Sequence, residues 1–183
     1  MTKFLWTSLL IGSGLLLTGS MAHAQLGTAT GTTTLTVPVA AEAALTVATT
    51  PNFTQTGTNF TAYTAATNLT YFIRTSASGT ITLQVTSDFS PAGGPSVATP
   101  PTAGDKLAYT CTVATPGNNG TATACSGSVT AATGSATSVA TFGADARSLF
   151  AGNSGSVSWT LTNDPKYKVN SYSAVVTFTI NAP

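Results

Sequence analysis

Histidine is nearly missing from this 183-residue chain, the one copy being His23. Charge is almost as scarce, at 6% of residues where about a quarter is usual. The basic residues are Lys3, Arg74, Lys106, Arg147, Lys166 and Lys168, and they form no cluster. Binding to a phosphate backbone relies on clustered Lys and Arg that displace counterions, so this composition argues against a nucleic-acid partner. Methionine and cysteine occur twice each. Apolar residues are not lacking: they make up 42% of the chain, which speaks against intrinsic disorder.

Residues 1–24 read as an export signal. Lys3 supplies the positive start, and Phe4 to Leu17 is apolar but short of the ~20 residues of a membrane helix. The run Ala22-His23-Ala24 before Gln25 has the small-x-small form of a signal-peptidase site, so cleavage is expected between Ala24 and Gln25. No second apolar run of membrane length follows. The mature chain is therefore expected to have no membrane span, no histidine and no methionine, with five basic residues against five acids. Its expected location is the periplasm, the cell surface or the extracellular medium. Residues 25–183 are long enough for a single domain with a substantial core.

Cys111 and Cys125 are the only cysteines. Export leads into an oxidising compartment, which favours a disulfide between them. The rival reading is a metal or redox pair, but two Cys without His or C-x-x-C spacing make a poor site for either. The intervening Pro116-Gly117-Asn118-Asn119-Gly120 has turn chemistry, so two strands joined by this turn and stapled near its base are expected.

Threonine is abundant, at 35 of the residues from Gln25 onward. It suits the pleated surface of a strand better than a helix. Apolar residues alternate with Thr or Ser in row after row: Leu35–Val39, Leu45–Val47, Leu69–Ile73, Ile81–Val85, Leu107–Val113, Val157–Leu161 and Ala174–Ile180. Such rows fit an antiparallel sheet with one buried and one wet face. Weaker candidates lie at Asn59–Tyr63, Thr121–Ala131 and Thr137–Phe142. The expected fold is an all-β, antiparallel Ig-like β-sandwich of roughly eight to ten short strands. Ser76–Gly79 is expected to close a hairpin, Ala40–Ala44 to form one turn and Ala144–Phe150 a short helix. Ser90–Gly104, rich in Pro and Gly, is expected to be a long surface loop.

The chemical inventory is thin. Without histidine, Ser-His-Asp, Cys-His and His-based metal sites are excluded from the mature chain. The acids Glu42, Asp88, Asp105, Asp145 and Asp164 show no spacing that suggests a carboxylate pair, and Asp in such contexts usually makes local turn bonds. No catalytic residue, metal site or cofactor is expected. Arg74 is expected on a sheet surface, Trp159 in the core, and Tyr63, Tyr167 and Tyr172 partly exposed.

Two segments carry a resemblance. Thr34–Val39 followed by Ala43–Val47 resembles the opening strands of secreted pilin-like and coat-type β-sandwiches. Ser171–Ile180 resembles the closing strand of such domains, including the WxL modules that bind Gram-positive cell walls. The central, local position of the cysteine pair departs from chaperone–usher pilins, whose disulfide is early. The resemblance implies assembly or surface attachment and carries over no catalytic residue. The reading that follows is an exported, non-catalytic structural or surface subunit, partnered by further copies of itself or by other surface subunits. Leu35, Val37 and Val39 are its candidate strand-exchange segment. The alternative is a monomeric module that binds glycans or a host surface through loops and exposed Tyr.

Overall fold

The computed structural model describes residues 30–48, 50–98 and 105–183. The export signal and the Ala24–Gln25 junction lie outside the described residues. Pro38–Pro183 forms one compact unit, in which the described residues form ten strands. These are β1 (Glu42–Val47), β2 (Thr54–Gln55), β3 (Tyr63–Arg74), β4 (Gly79–Ser90) and β5 (Leu107–Val113). They continue as β6 (Ala122–Ala124), β7 (Val129–Thr130), β8 (Thr137–Phe142), β9 (Asn153–Leu161) and β10 (Ser173–Asn181).

The strands form two antiparallel sheets. One runs β1-β3-β9-β5-β7, with β2 paired to the start of β3; the other runs β10-β4-β8-β6. The expected all-β sandwich is what the chain forms. Alternation explains the rows: Leu69, Tyr71 and Ile73 face inward from β3, Ile81, Leu83 and Val85 from β4, and Val157, Trp159 and Leu161 from β9. Thr and Ser take most of the outward positions between them.

The interior is tied by aromatic contacts. Tyr71 lies 4.8 Å from Phe142 between ring centroids, and Tyr109 lies 5.5 Å from Trp159, which meets Phe178 edge-on. Their polar atoms are satisfied. The Trp159 indole N–H donates to the Thr67 hydroxyl at 2.8 Å, and the Tyr71 hydroxyl donates to the Ala114 carbonyl. The Tyr109 hydroxyl donates to Thr137 at 2.7 Å. Among the described residues, no buried side-chain nitrogen or oxygen lacks a partner, as a sandwich this poor in charge requires.

Several local expectations are corrected. Leu35–Val39 is not a strand; the first strand begins at Glu42, and three of the residues expected to turn, Glu42–Ala44, belong to it. Ser76–Gly79 does not close a hairpin. It joins β3 in one sheet to β4 in the other, since both apolar rows must face the same core. Ala144–Phe150 is irregular, its backbone consumed by bonds to Thr75, Ile73 and Asn119 rather than to itself. Asn59 and Phe60 take positive φ, so β3 starts only at Tyr63. Within the expected surface loop, Val97 is fully buried, and residues 99–104 lie outside the described residues.

Candidate functional site

The two lateral sides of the sandwich are built differently. On one side Cys111 of β5 is bonded to Cys125, just past β6, with Cα atoms 5.4 Å apart. Since β5 and β6 belong to different sheets, the disulfide joins the sheets instead of stapling a hairpin. The strands that end the sheets here, β6 and β7, are only three and two residues long. Short edge strands offer little template for further pairing.

On the opposite side the sheets end in β1 and β10, six and nine residues long, which lie against each other. The register shows what an open end means. Val176, Phe178 and Ile180 stand directly opposite Val85, Leu83 and Ile81 of β4. The β4 residues are fully buried, while their β10 partners are only half-buried. In the same way Ala43 and Leu45 of β1 are half-buried opposite the buried Ile73 and Tyr71. An apolar row that a next strand would cover is left partly in water. β10 also carries an irregularity at Ala174–Val176, and Val175 there is exposed.

The candidate exchange residues are exposed: Leu35 by 87%, Val37 by 77% and Val39 by 66%. Their i, i+2, i+4 spacing is that of one strand face. Leu35–Val39 spans about 17 Å when extended, and it has the same period as Val176, Phe178 and Ile180 of β10.

The acids are dispersed, and Glu42, Asp88, Asp105 and Asp164 have structural work. Asp88 accepts hydrogen bonds from the Phe89 and Val97 amides and the Ser96 hydroxyl, which hold the loop with Val97 against the core. Burial alone would raise its carboxyl, but hydrogen bonds from Ser96, Val97, Phe89 and Ala98 outweigh that and hold it below the usual value. Asp105 accepts from the Tyr167 hydroxyl at 2.9 Å and pairs with Lys166 at 3.0 Å, and Asp164 shares the same lysine. Burial, then Asp105, raises the Tyr167 hydroxyl well above its ordinary value. Asp145 lies at the other end of the sandwich, with positive φ. Glu42 pairs with Arg74 at 2.8 Å. Among the described residues, no group of three His, Cys, Asp or Glu could hold a metal ion, and no helix is long and apolar enough to cross a membrane.

Trp159 is in the core as expected, and Tyr63, Tyr167 and Tyr172 are half-buried. Arg74 is on the surface, but it is not merely solvated: it also donates to the Ala40 carbonyl at 2.8 Å. Sequence reasoning passed over Arg147. It is 73 positions from Arg74 in the chain, and only the fold brings the two together, in an isolated antiparallel bridge. No protein-family model matches this chain, and no curated protein or solved structure matches it significantly.

Proposed function

We propose that the protein is an exported, non-catalytic structural or surface subunit that self-associates by strand addition. The segment Leu35–Val39 of one copy adds to the open side between β1 and β10 of another. The observation that carries this reading is the half-buried apolar row of β10, on a long edge strand, together with an exposed segment of matching period. Strand addition gives affinity through main-chain hydrogen bonds and specificity through alternate side chains. Leu35, Val37 and Val39 would supply the side chains and would carry apolar surface out of water at about 25 cal/mol per Å². Pro38, which has no N–H, alternates with these residues and suits a strand that ends a sheet. The disulfide side has no comparable edge to offer, so association through β1 and β10 alone is directional.

The test is a blot of surface, periplasmic and medium fractions, run with and without boiling. A ladder at multiples of the subunit mass that collapses on boiling is the expected result. Deletion of Gln25–Val39 should leave only monomer. A single band before boiling, or a ladder that survives the deletion, overturns the reading.

A further inference from the structure

Arg74 and Arg147 stand directly opposite each other across their antiparallel bridge. Residues so paired present their side chains to one face with Cβ atoms about 4.5–5.5 Å apart, and like charges in that relation repel. The chain has very few basic residues, yet it places two here. Both line a shallow depression of about 270 Å³ at one end of the sandwich, with Ala40, Ser76 and Asp145.

The two arginines differ in their occupation. Arg74 is engaged by Glu42 and the Ala40 carbonyl. Among the described residues, Arg147 has no ion pair and its guanidinium makes no hydrogen bond. Its backbone is nevertheless firmly held. The Arg147 amide donates to Asn119 at 2.8 Å, and its carbonyl accepts from Asn118 and Asn119. Next to it, Gly120 has φ +96°, and a Cβ there would meet the Ala146 Cα at 2.6 Å. The guanidinium is thus an unpaired fork on a rigid base, the geometry that receives a carboxylate with two parallel hydrogen bonds.

We infer that this depression binds a sugar carrying a single carboxylate, of the uronic-acid class. Arg147 holds the carboxylate, and Asp145 and Ser76 meet ring hydroxyls. The volume sits at the small end of ligand sites, about 300 Å³, which suits one ring rather than a long chain. Asp145 and the nearby Glu42 disfavour a doubly charged phosphate, whereas a hydroxyl-bearing monoanion gives Asp145 a donor. Val39 of the strand-exchange segment also lines the depression, but the contacts to the ligand come from Arg147, Asp145 and Ser76, so loss of binding in Arg147→Ala does not bear on strand addition.

The experiment is an NMR titration of the purified full chain with galacturonate, galactose, acetate and inorganic phosphate. Galacturonate should shift the resonances of residues around Arg147 at millimolar concentration, with galactose and phosphate inert and acetate weaker. Arg147→Ala should weaken galacturonate about tenfold or more, the loss expected for a charge-assisted pair. Arg147→Lys should restore part of it. Glu42→Gln, which releases Arg74, should tighten binding several-fold, and Lys168→Ala should change nothing. Because the Arg147 side chain is exposed and its backbone makes the structural bonds, the alanine variant should keep its spectrum elsewhere. No shift with galacturonate, phosphate or acetate binding as tightly, or binding unchanged in Arg147→Ala would each overturn the inference.

Discussion

On one side of this sandwich a covalent bond joins the sheets where their edge strands have shrunk to two and three residues. On the other, two longer strands end the sheets with their apolar rows only partly covered. The core between them is continuous. The contrast teaches that a sandwich with little charge has two ways to treat an edge. It can withdraw the edge and lock it, or leave it long and available. Charged edge residues, the common third device, are scarce in this chain.

The largest effect should come from the interior that both sides share. Trp159→Ala removes packing against Tyr109 and Phe178 and takes the donor from the buried Thr67 hydroxyl. It should cost about 3–5 kcal/mol, read as a fall in the urea midpoint. Opening the locked side comes next. Replacing Cys111 and Cys125 with Ser releases a loop of 14 residues' separation and should cost about 3 kcal/mol. If the stability change is negligible, the two sides are equivalent and the contrast fails.

A matched pair of substitutions sharpens it further. Val85 and Val176 are direct partners in the same sheet. Val85→Ala should cost about 2–3 kcal/mol, and Val176→Ala about 1 kcal/mol, because only the former is fully buried. Equal losses in the monomer would mean that β10 is as well covered as β4.

Titration probes the sides without mutation. Burial pushes the Tyr71 hydroxyl up to about 12 and also raises that of Tyr109. A raised acid is held protonated by the fold. Its contribution is therefore complete below the unfolded value of about 10 and is lost as pH climbs through the folded value. Phenolate absorbance should appear together with loss of the near-UV signal. Asp88, depressed, acts in the opposite direction: its contribution is present above about pH 4 and is lost as pH falls through its folded value. The smallest effect belongs to the Arg74–Glu42 pair. Both side chains are well exposed, and Glu42→Gln should change folding stability by less than about 1 kcal/mol.

Alternation was sufficient to find most strands, because a half-buried sheet enforces period two directly on the residues. Thr137–Phe142 is a strand with the expected bounds, and Cys111 and Cys125 are bonded to each other. What the pattern cannot encode is which sheet a strand joins. Ile73 and Ile81 both face inward, and a turn between them looks the same whether it closes a hairpin or crosses between sheets. The hydroxyl rule also has an exception that needs the fold to see: Thr67 points inward because Trp159, 92 positions away, brings it a donor. Asp88 reads as a turn residue, yet its nearby partners Ser96 and Val97 pull a Pro/Gly-rich stretch into the core. Glu42 and Arg74 gave no local sign of pairing, since their contact follows from the β1–β3 register.

The order of the pairings carries a consequence for synthesis. β3 finds its central partner in β9, and β4 finds one of its two in β10, the last strands of the sequence. A chain emerging N-terminus first holds β3, β4 and β5 on hand while the strand that lies between β3 and β5 is still missing. During that interval two long apolar ribbons wait with unsatisfied main-chain edges. β1 can pair with β3, and β4 with β8 and β8 with β6, before then, but neither sheet is complete until β9 and β10 have been made. A ribosome stalled before Asn153 would therefore release an aggregation-prone fragment rather than a smaller folded protein.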